Sequence, residues 1–200
     1  MGAGYCARCI AISLIPLALT SMVASIALLF PNGETVYLTE KHITWTATVQ
    51  AGLWGSGLLI IVVSWQINAA AVGDGCCCFC AASRLKMFAS IFYSLLAIVG
   101  SALCFGISTI GLAEGPLCLF NVTLPNKSHV QLWDYPFQER NVSAVSYLHD
   151  SSRWRTCEEP KNIVVWNITF FSILLAVSSL EALICSFQII NGFFGCIFGR

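Results

Sequence analysis

The sequence predicts an all-α membrane protein. We expect a bundle of four transmembrane helices, with a small disulfide-closed extracellular loop domain between the third and fourth. Three observations predict this fold. Apolar residues make up 57% of the 200 positions and charged residues only 10%, against about 25% charged in soluble domains. Four long segments are almost free of charge, and two cysteines stand alone in the longest segment that connects them.

Each charge-poor segment reaches the length that a helix needs to cross the hydrocarbon core, about 20 residues. The four segments are 10–30, 45–72, 88–113 and 163–191. Only the last contains a charged residue, Glu181. The first could instead be a secretory signal, because Ser25-Ile26-Ala27 resembles a cleavage site. Its apolar stretch exceeds the roughly 7–15 residues of a signal peptide, so we predict an uncleaved helix.

The connecting segments alternate between the two sides of the membrane. They are 1–9, 73–87 and 192–200 on one side, and 31–44 and 114–162 on the other. Counts of Lys and Arg alone do not orient the chain. N-glycosylation sequons begin at Asn121, Asn126 and Asn141 in the longest segment, and a fourth begins at Asn167, where the last helix lies too near the bilayer for easy modification. The sequons predict that both termini are cytosolic.

The long extracellular loop has one pair of cysteines, Cys118 and Cys157, and segment 31–44 has none. An isolated pair in an oxidising compartment predicts a disulfide, which closes about 40 residues and stabilises the loop by a few kcal/mol. The loop's aromatic residues predict a small apolar core; they are Trp133, Tyr135, Phe137, Tyr147 and Trp154. The stretch 133–137 could instead bind a partner, since aromatic residues dominate binding hot spots, but so small a loop favours internal packing.

Seven cysteines cluster on the cytosolic side, near the ends of the predicted helices. They are Cys6, Cys9, Cys76, Cys77, Cys78, Cys80 and Cys196. Thiols beside a membrane are typical sites of S-acylation, because acyl chains can insert directly from that depth. Two alternatives are inert thiols and a zinc site, since Cys6-Ala-Arg-Cys9 has the spacing of zinc ligands. We predict no metal site, because all three histidines lie in the extracellular segments.

Glu181 is the one ionisable residue deep in a predicted helix, so we expect it to face the bundle interior and to be protonated or hydrogen-bonded. Candidate partners on the second helix are Gln50, Ser64, Gln66 and Asn68. A bond between helices is the favoured interpretation, since polar side chains join helices in lipid; proton or ion transport is the alternative. Small residues predict close helix packing; they are Gly52, Gly55, Gly57, Ala97, Gly100, Ser101 and Cys104.

No catalytic constellation appears in the sequence, which contains neither a glycine-rich phosphate loop nor paired carboxylates at the membrane boundary. We therefore predict a non-enzymatic protein without a cofactor. The net charge of zero gives no field to attract nucleic acid.

Several motifs resemble the L6 family of four-transmembrane proteins. They are Cys6-Ala-Arg-Cys9, Phe30-Pro-Asn-Gly-Glu-Thr35, Gly111-Leu-Ala-Glu-Gly-Pro-Leu-Cys118, Trp154 with Cys157-Glu-Glu-Pro-Lys161, Val165-Trp-Asn167, Phe171-Ser-Ile-Leu-Leu175 and Gln188-Ile-Ile-Asn-Gly192. They follow one another in order over nearly the whole chain. The Cys-Cys-Gly motif that tetraspanins carry in their large loop is absent, so the topology is tetraspanin-like but the family is different.

The resemblance implies a glycoprotein of the plasma membrane or endolysosomal membrane that associates laterally with receptors, integrins or tetraspanins, or with copies of itself. Such proteins influence adhesion, motility and growth signalling. The alternative is binding or transport of a small molecule or ion at a site around Glu181. A barrier-forming protein of the claudin type is disfavoured, because segment 31–44 is too short to fold alone.

Overall fold

The computed structural model describes residues 3–40, 42–71, 80–123, 129–137, 147–150 and 152–198. Four helices in this part of the chain are long and apolar enough to cross a membrane. The candidate membrane-spanning stretches are Tyr5–Leu29, Trp45–Ala71, Phe88–Glu114 and Ile163–Ile197. Each overlaps one of the four charge-poor segments, so the prediction of four transmembrane helices is confirmed. We refer to them below as the first to fourth helices.

Three of the helices extend beyond the charge-poor segments. The first helix covers Ala3–Leu29, the third Cys80–Glu114 and the fourth Ile163–Phe198. Absence of charge marks the part of a helix that suits hydrocarbon, whereas the helix itself continues wherever its residues favour helical backbone. The third helix therefore begins eight residues before Phe88, in a stretch that contains Ala81, Ala82 and Leu85.

The second helix is irregular near its start. It consists of α-helical turns at Trp45–Thr48 and Ala51–Leu53, a π-helical turn at Trp54–Leu58, and a regular helix at Leu59–Ala71. Gln50, at the break between the first two pieces, has a φ of 53°. Its side-chain amide donates to the carbonyl oxygens of Ser25 and Ala47, at 3.0 and 2.8 Å. The first bond ties the break to the first helix, and the second holds the Gln50 side chain against the turn that precedes the break.

Buried residues recur every three and four positions along the first, third and fourth helices, and most of them are small. In the first helix they are Ala7, Ala11, Leu14, Ala18, Ser21, Ser25 and Leu28; in the third, Ser90, Ser94, Ala97, Ser101, Cys104 and Ser108; in the fourth, Val164, Asn167, Phe171, Leu174, Ser178, Glu181, Cys185 and Gln188. Spacing of this kind is that of a coiled-coil seam. We call the set on the third helix the serine seam.

Contacts divide the chain into two compact units. The first unit contains Met1–Val23, Ala51–Phe105 and Leu175–Arg200; the second contains Ala24–Gln50 and Gly106–Leu174. The core of the first unit is made mainly of aliphatic residues such as Leu14, Ile60 and Ile67. The second unit holds the loops that join the first helix to the second and the third to the fourth.

The loop between the third and fourth helices contains a β-hairpin, which the sequence analysis did not predict. Strand β1 (Cys118–Thr123) pairs antiparallel with β2 (His129–Asp134), so that Cys118 lies opposite Asp134 and Thr123 opposite His129. Short 3-10 turns follow at Tyr147–His149 and Arg153–Thr156. The loop between the first and second helices has a turn at Pro31–Gly33 and one helical turn at Val36–Thr39.

Candidate functional site

Glu181 and two serines form a buried polar cluster, which we call the Glu181 cluster. Glu181 is completely buried. The Ser56 hydroxyl donates to its Oε2, and the Ser101 hydroxyl lies 3.3 Å from the same oxygen. The single hydrogen of Ser101 is shared, because its Oγ also lies 2.9 Å from the carbonyl oxygen of Ala97. The cluster joins the second, third and fourth helices, as expected of a polar side chain that holds helices together.

The four candidate partners for Glu181 were wrong. Ser64 donates to the carbonyl oxygen of Ala11 at 2.6 Å, while Gln66 and Asn68 are exposed. Gln50 bonds to the backbone at the helix break described above. The hydroxyls that do bond to Glu181 belong to Ser56 and Ser101. Their positions depend on how the second helix packs against the third, and the sequence of one helix alone does not specify that packing.

Two glycines bring the second and third helices together beside the Glu181 cluster. A Cβ at Gly55 would lie 2.7 Å from the carbonyl oxygen of Gly100, and one at Gly100 would lie 2.6 Å from that of Gly55. Real Cβ atoms do not approach backbone so closely, so both positions require glycine. Ser56 and Ser101 follow these glycines directly, and the close approach carries both hydroxyls to the carboxyl group. The prediction that Gly55 and Gly100 are packing residues is confirmed.

A disulfide joins Cys118 to Cys157, as the sequence predicted, with the two Cα atoms 5.6 Å apart. Backbone hydrogen bonds next to the disulfide also join the two ends of the loop. The amide of Leu119 donates to the carbonyl oxygen of Glu159, and the amide of Glu158 donates to that of Leu119, both at 2.9 Å. The Glu158 carboxylate also accepts bonds from the side chains of Asn121 and Gln131. The beginning and the end of the loop are therefore held against each other.

Three of the predicted aromatic residues form the core of this loop. The rings of Phe137 and Tyr147 stack at 4.5 Å, and the Trp154 indole N–H donates to the Tyr147 carbonyl oxygen at 2.9 Å. The Tyr147 hydroxyl donates to the carbonyl oxygen of Leu112 at 2.6 Å. Burial of the phenol disfavours its charged form and raises the pKa of Tyr147 to about 12.

Trp133 packs elsewhere, against the loop between the first and second helices. Its ring stacks on the ring of His42, with 4.0 Å between the ring centroids and only 6° between the planes. The centroid of the Tyr37 ring lies 6.4 Å from that of Trp133. Glu40 Oε2 lies 3.3 Å from His42 Nδ1. Tyr135 is half-buried, and burial raises its pKa. These contacts favour internal packing over the alternative that stretch 133–137 is a free binding surface.

The predicted glycan sites differ in their surroundings. Asn121 is exposed on β1. Asn126 and Asn141 lie outside the described residues. Asn167 is only 3% exposed inside the fourth helix, and its Oδ1 has no hydrogen-bond partner among the described residues, so its position does not favour modification.

The cysteines predicted to carry acyl chains are also in different surroundings. Cys6 and Cys9 are exposed on the first helix, and Cys196 near the end of the fourth is half-buried. Cys80 begins the third helix, and Cys76, Cys77 and Cys78 lie outside the described residues. Cys104 and Cys185, for which the sequence analysis proposed no acylation, are buried in the helix interfaces. Among the described residues, no group of three or more His, Cys, Asp or Glu side chains could hold a metal ion.

Comparison with known proteins identifies relatives over the whole length. The family model described as L6 membrane protein matches residues 1–200. Transmembrane 4 L6 family member 1 of Homo sapiens is 40% identical over 98% of this chain and 93% of its own. Member 5 of Bos taurus is 39% identical over 100% and 95%, and member 4 of Homo sapiens is 34% identical over 100% and 93%. No solved structure matches the chain.

Proposed function

The chain belongs to the L6 membrane protein family, and from that premise we propose that it is a non-enzymatic organiser of membrane proteins. In this proposal it associates laterally with receptors or adhesion proteins and so modulates adhesion, motility or growth signalling. S-acylated cysteines at one membrane boundary would select its lipid surroundings. The disulfide-closed loop at the other would position it beside its partners.

The main support for this proposal is the exposure of the Cys6 and Cys9 thiols. Both thiols lie on the surface of the first helix, within its first two turns and just before its uncharged stretch begins. An acyltransferase can reach a thiol at this depth, and the attached chain can enter the bilayer without crossing a polar layer. Cys104 and Cys185 are buried and give the contrast that a test needs.

The distribution of large apolar side chains also supports lateral association. The interior of the third helix holds small residues, whereas large apolar residues on the outside of the second, third and fourth helices, such as Trp54, Leu103 and Phe187, are 61–65% exposed. A lipid-facing surface of this kind offers many places for another apolar helix to pack. The compact loop, with its disulfide and aromatic core, supports the same proposal because a rigid surface loses less entropy when a partner binds.

The test is co-purification in mild detergent, combined with measurement of acyl exchange on each variant. Cys6→Ser/Cys9→Ser is compared with wild type, with the four-site variant at Cys76, Cys77, Cys78 and Cys80, and with Cys185→Ser as the buried control. We expect loss of acyl label and an altered partner set in the first two variants only. Identical partner sets in all four proteins, despite loss of the label, would refute organisation through acylation.

We further propose that both termini are cytosolic and that the loop between the third and fourth helices is extracellular or lumenal. The disulfide and the exposed sequon at Asn121 support this orientation. Removal of N-glycans should shift the electrophoretic mobility of the wild type more than that of Asn121→Gln. Cys9 should react with an impermeant maleimide only after the cells are permeabilised and thioesters are cleaved. Labelling of Cys9 in intact cells treated to cleave thioesters would reverse the orientation.

A further inference from the structure

A groove with a volume of about 360 Å³ runs along the boundary between the first and second helices. Its walls are apolar on the first helix (Ala11, Ile12, Ile15) and mixed on the second (Ile61, Ser64, Trp65, Asn68). The bond from Ser64 Oγ to the Ala11 carbonyl oxygen closes its floor. This volume lies in the range of ligand pockets, roughly 300–1,000 Å³.

The two ends of the groove differ in polarity. Ile15 and Ile61 line the end that lies deeper in the uncharged segments. Asn68, three residues before the second helix ends at Ala71, lines the other end. Arg8 is not part of the groove lining, but it lies one helical turn before Ile12, two residues ahead of the uncharged segment of the first helix. Arg8, Ile12 and Ile15 are spaced i, i+4 and i+7, and therefore follow one stripe of the helix.

Arg8 supplies a charge that no described residue neutralises. Its side chain is exposed, and among the described residues it has no acidic partner. A guanidinium at the edge of the hydrocarbon lies at the depth of lipid phosphates, with which it forms strong charge-assisted hydrogen bonds. Trp65, which is 73% exposed, is of the type that concentrates at this boundary.

We propose that this groove binds one anionic glycerophospholipid of the leaflet on the amino-terminal side. One acyl chain lies between Ile12, Ile15 and Ile61, and the headgroup lies against Arg8 and Asn68. The complementary charges select an anionic lipid over a zwitterionic lipid with the same chains. Basic sites between transmembrane helices recognise anionic headgroups on the same principle. The site depends neither on acylation nor on the proposed lateral function.

The experiment is native mass spectrometry of the full-length protein, purified in mild detergent and titrated with phosphatidylserine or with phosphatidylcholine carrying identical acyl chains. We expect the wild type to retain one phosphatidylserine more strongly than phosphatidylcholine. Arg8→Gln should weaken phosphatidylserine retention about tenfold, as expected for the loss of a charge-assisted hydrogen bond, and leave phosphatidylcholine unchanged.

Two matched controls separate the groove from general effects. Ile12→Trp should weaken retention of both lipids because the larger ring fills the groove, whereas Leu183→Trp should not, although the two residues are 58% and 57% exposed. Lys161→Gln, which removes an exposed cation of the second unit, should behave like the wild type. Equal retention of the two lipids by the wild type overturns the proposal. So does an unchanged Arg8→Gln, or equal effects of the two tryptophan variants.

Discussion

Replacing Gly100 by alanine tests whether direct backbone contact holds the second and third helices together. The new Cβ would lie 2.6 Å from the Gly55 carbonyl oxygen and 2.7 Å from Leu59 Cδ2, so the helices must move apart. Gly106 in the same helix has no atom within 4 Å of its Cβ position. Each substitution gains about 1 kcal/mol of helix propensity, but only Gly100→Ala overpacks an interface, which costs about 1–3 kcal/mol.

The difference between the two variants is the informative quantity, because the gain in helix propensity cancels. We expect Gly100→Ala to be about 1–3 kcal/mol less stable than Gly106→Ala in equilibrium unfolding in lipid bicelles. The corresponding difference in Tm is roughly 2–4 °C per kcal/mol for a chain of this size. Equal stability of the two variants, or a more stable Gly100→Ala, would refute the inference that Gly55 and Gly100 are in backbone contact.

Three further predictions concern other parts of the molecule. Cys157→Ser leaves Cys118 unpaired and should destabilise the second unit by about 4 kcal/mol, seen as faster amide exchange in the loop; unchanged exchange would contradict this. Tyr147→Phe should cost about 1 kcal/mol and abolish a late phenolate transition near pH 12 in absorbance titration. Since the folded pKa is raised, the stabilisation by Tyr147 is complete below about pH 10 and declines as pH rises towards 12; a variant that keeps the late transition would disprove the assignment. Glu181→Leu removes the acceptor of the Ser56 hydroxyl, while Ser101 keeps its bond to the Ala97 carbonyl oxygen. It should destabilise the first unit by about 1 kcal/mol, whereas Glu181→Gln keeps an acceptor and should cost less; the reverse order in thermal unfolding would count against the cluster.

The membrane helices, the disulfide and the aromatic core could be predicted from the sequence because each depends on a local or compositional property. A long uncharged stretch prefers hydrocarbon to water whichever other parts of the chain it packs against. Cys118 and Cys157 were paired by exclusion, since every other cysteine lies inside a predicted helix or in the opposite set of segments. Tyr147 and Phe137 are large apolar groups in a loop too small to leave them outside.

The partners of individual side chains could not be predicted in the same way. His42 stacks on Trp133 and Ser56 bonds to Glu181, and each pair joins parts of the chain that are distant in sequence. Their contact depends on the register between elements, which is set by many weak interactions together. The serine seam was a signal that could have been found, because Ser90, Ser94, Ala97, Ser101 and Cys104 repeat at intervals of four, three, four and three.

The contact between Gly55 and Gly100 makes the attraction between the second and third helices unusually steep in distance. Dispersion between two backbones at van der Waals separation is already reduced by a quarter to a half when a gap of roughly 0.5–1 Å opens. Long interdigitating side chains would keep touching over a displacement of that size, but two glycines have nothing with which to follow each other. This helix pair should therefore hold firmly while the two backbones are in contact and lose up to half of its dispersion attraction within roughly the first ångström of separation.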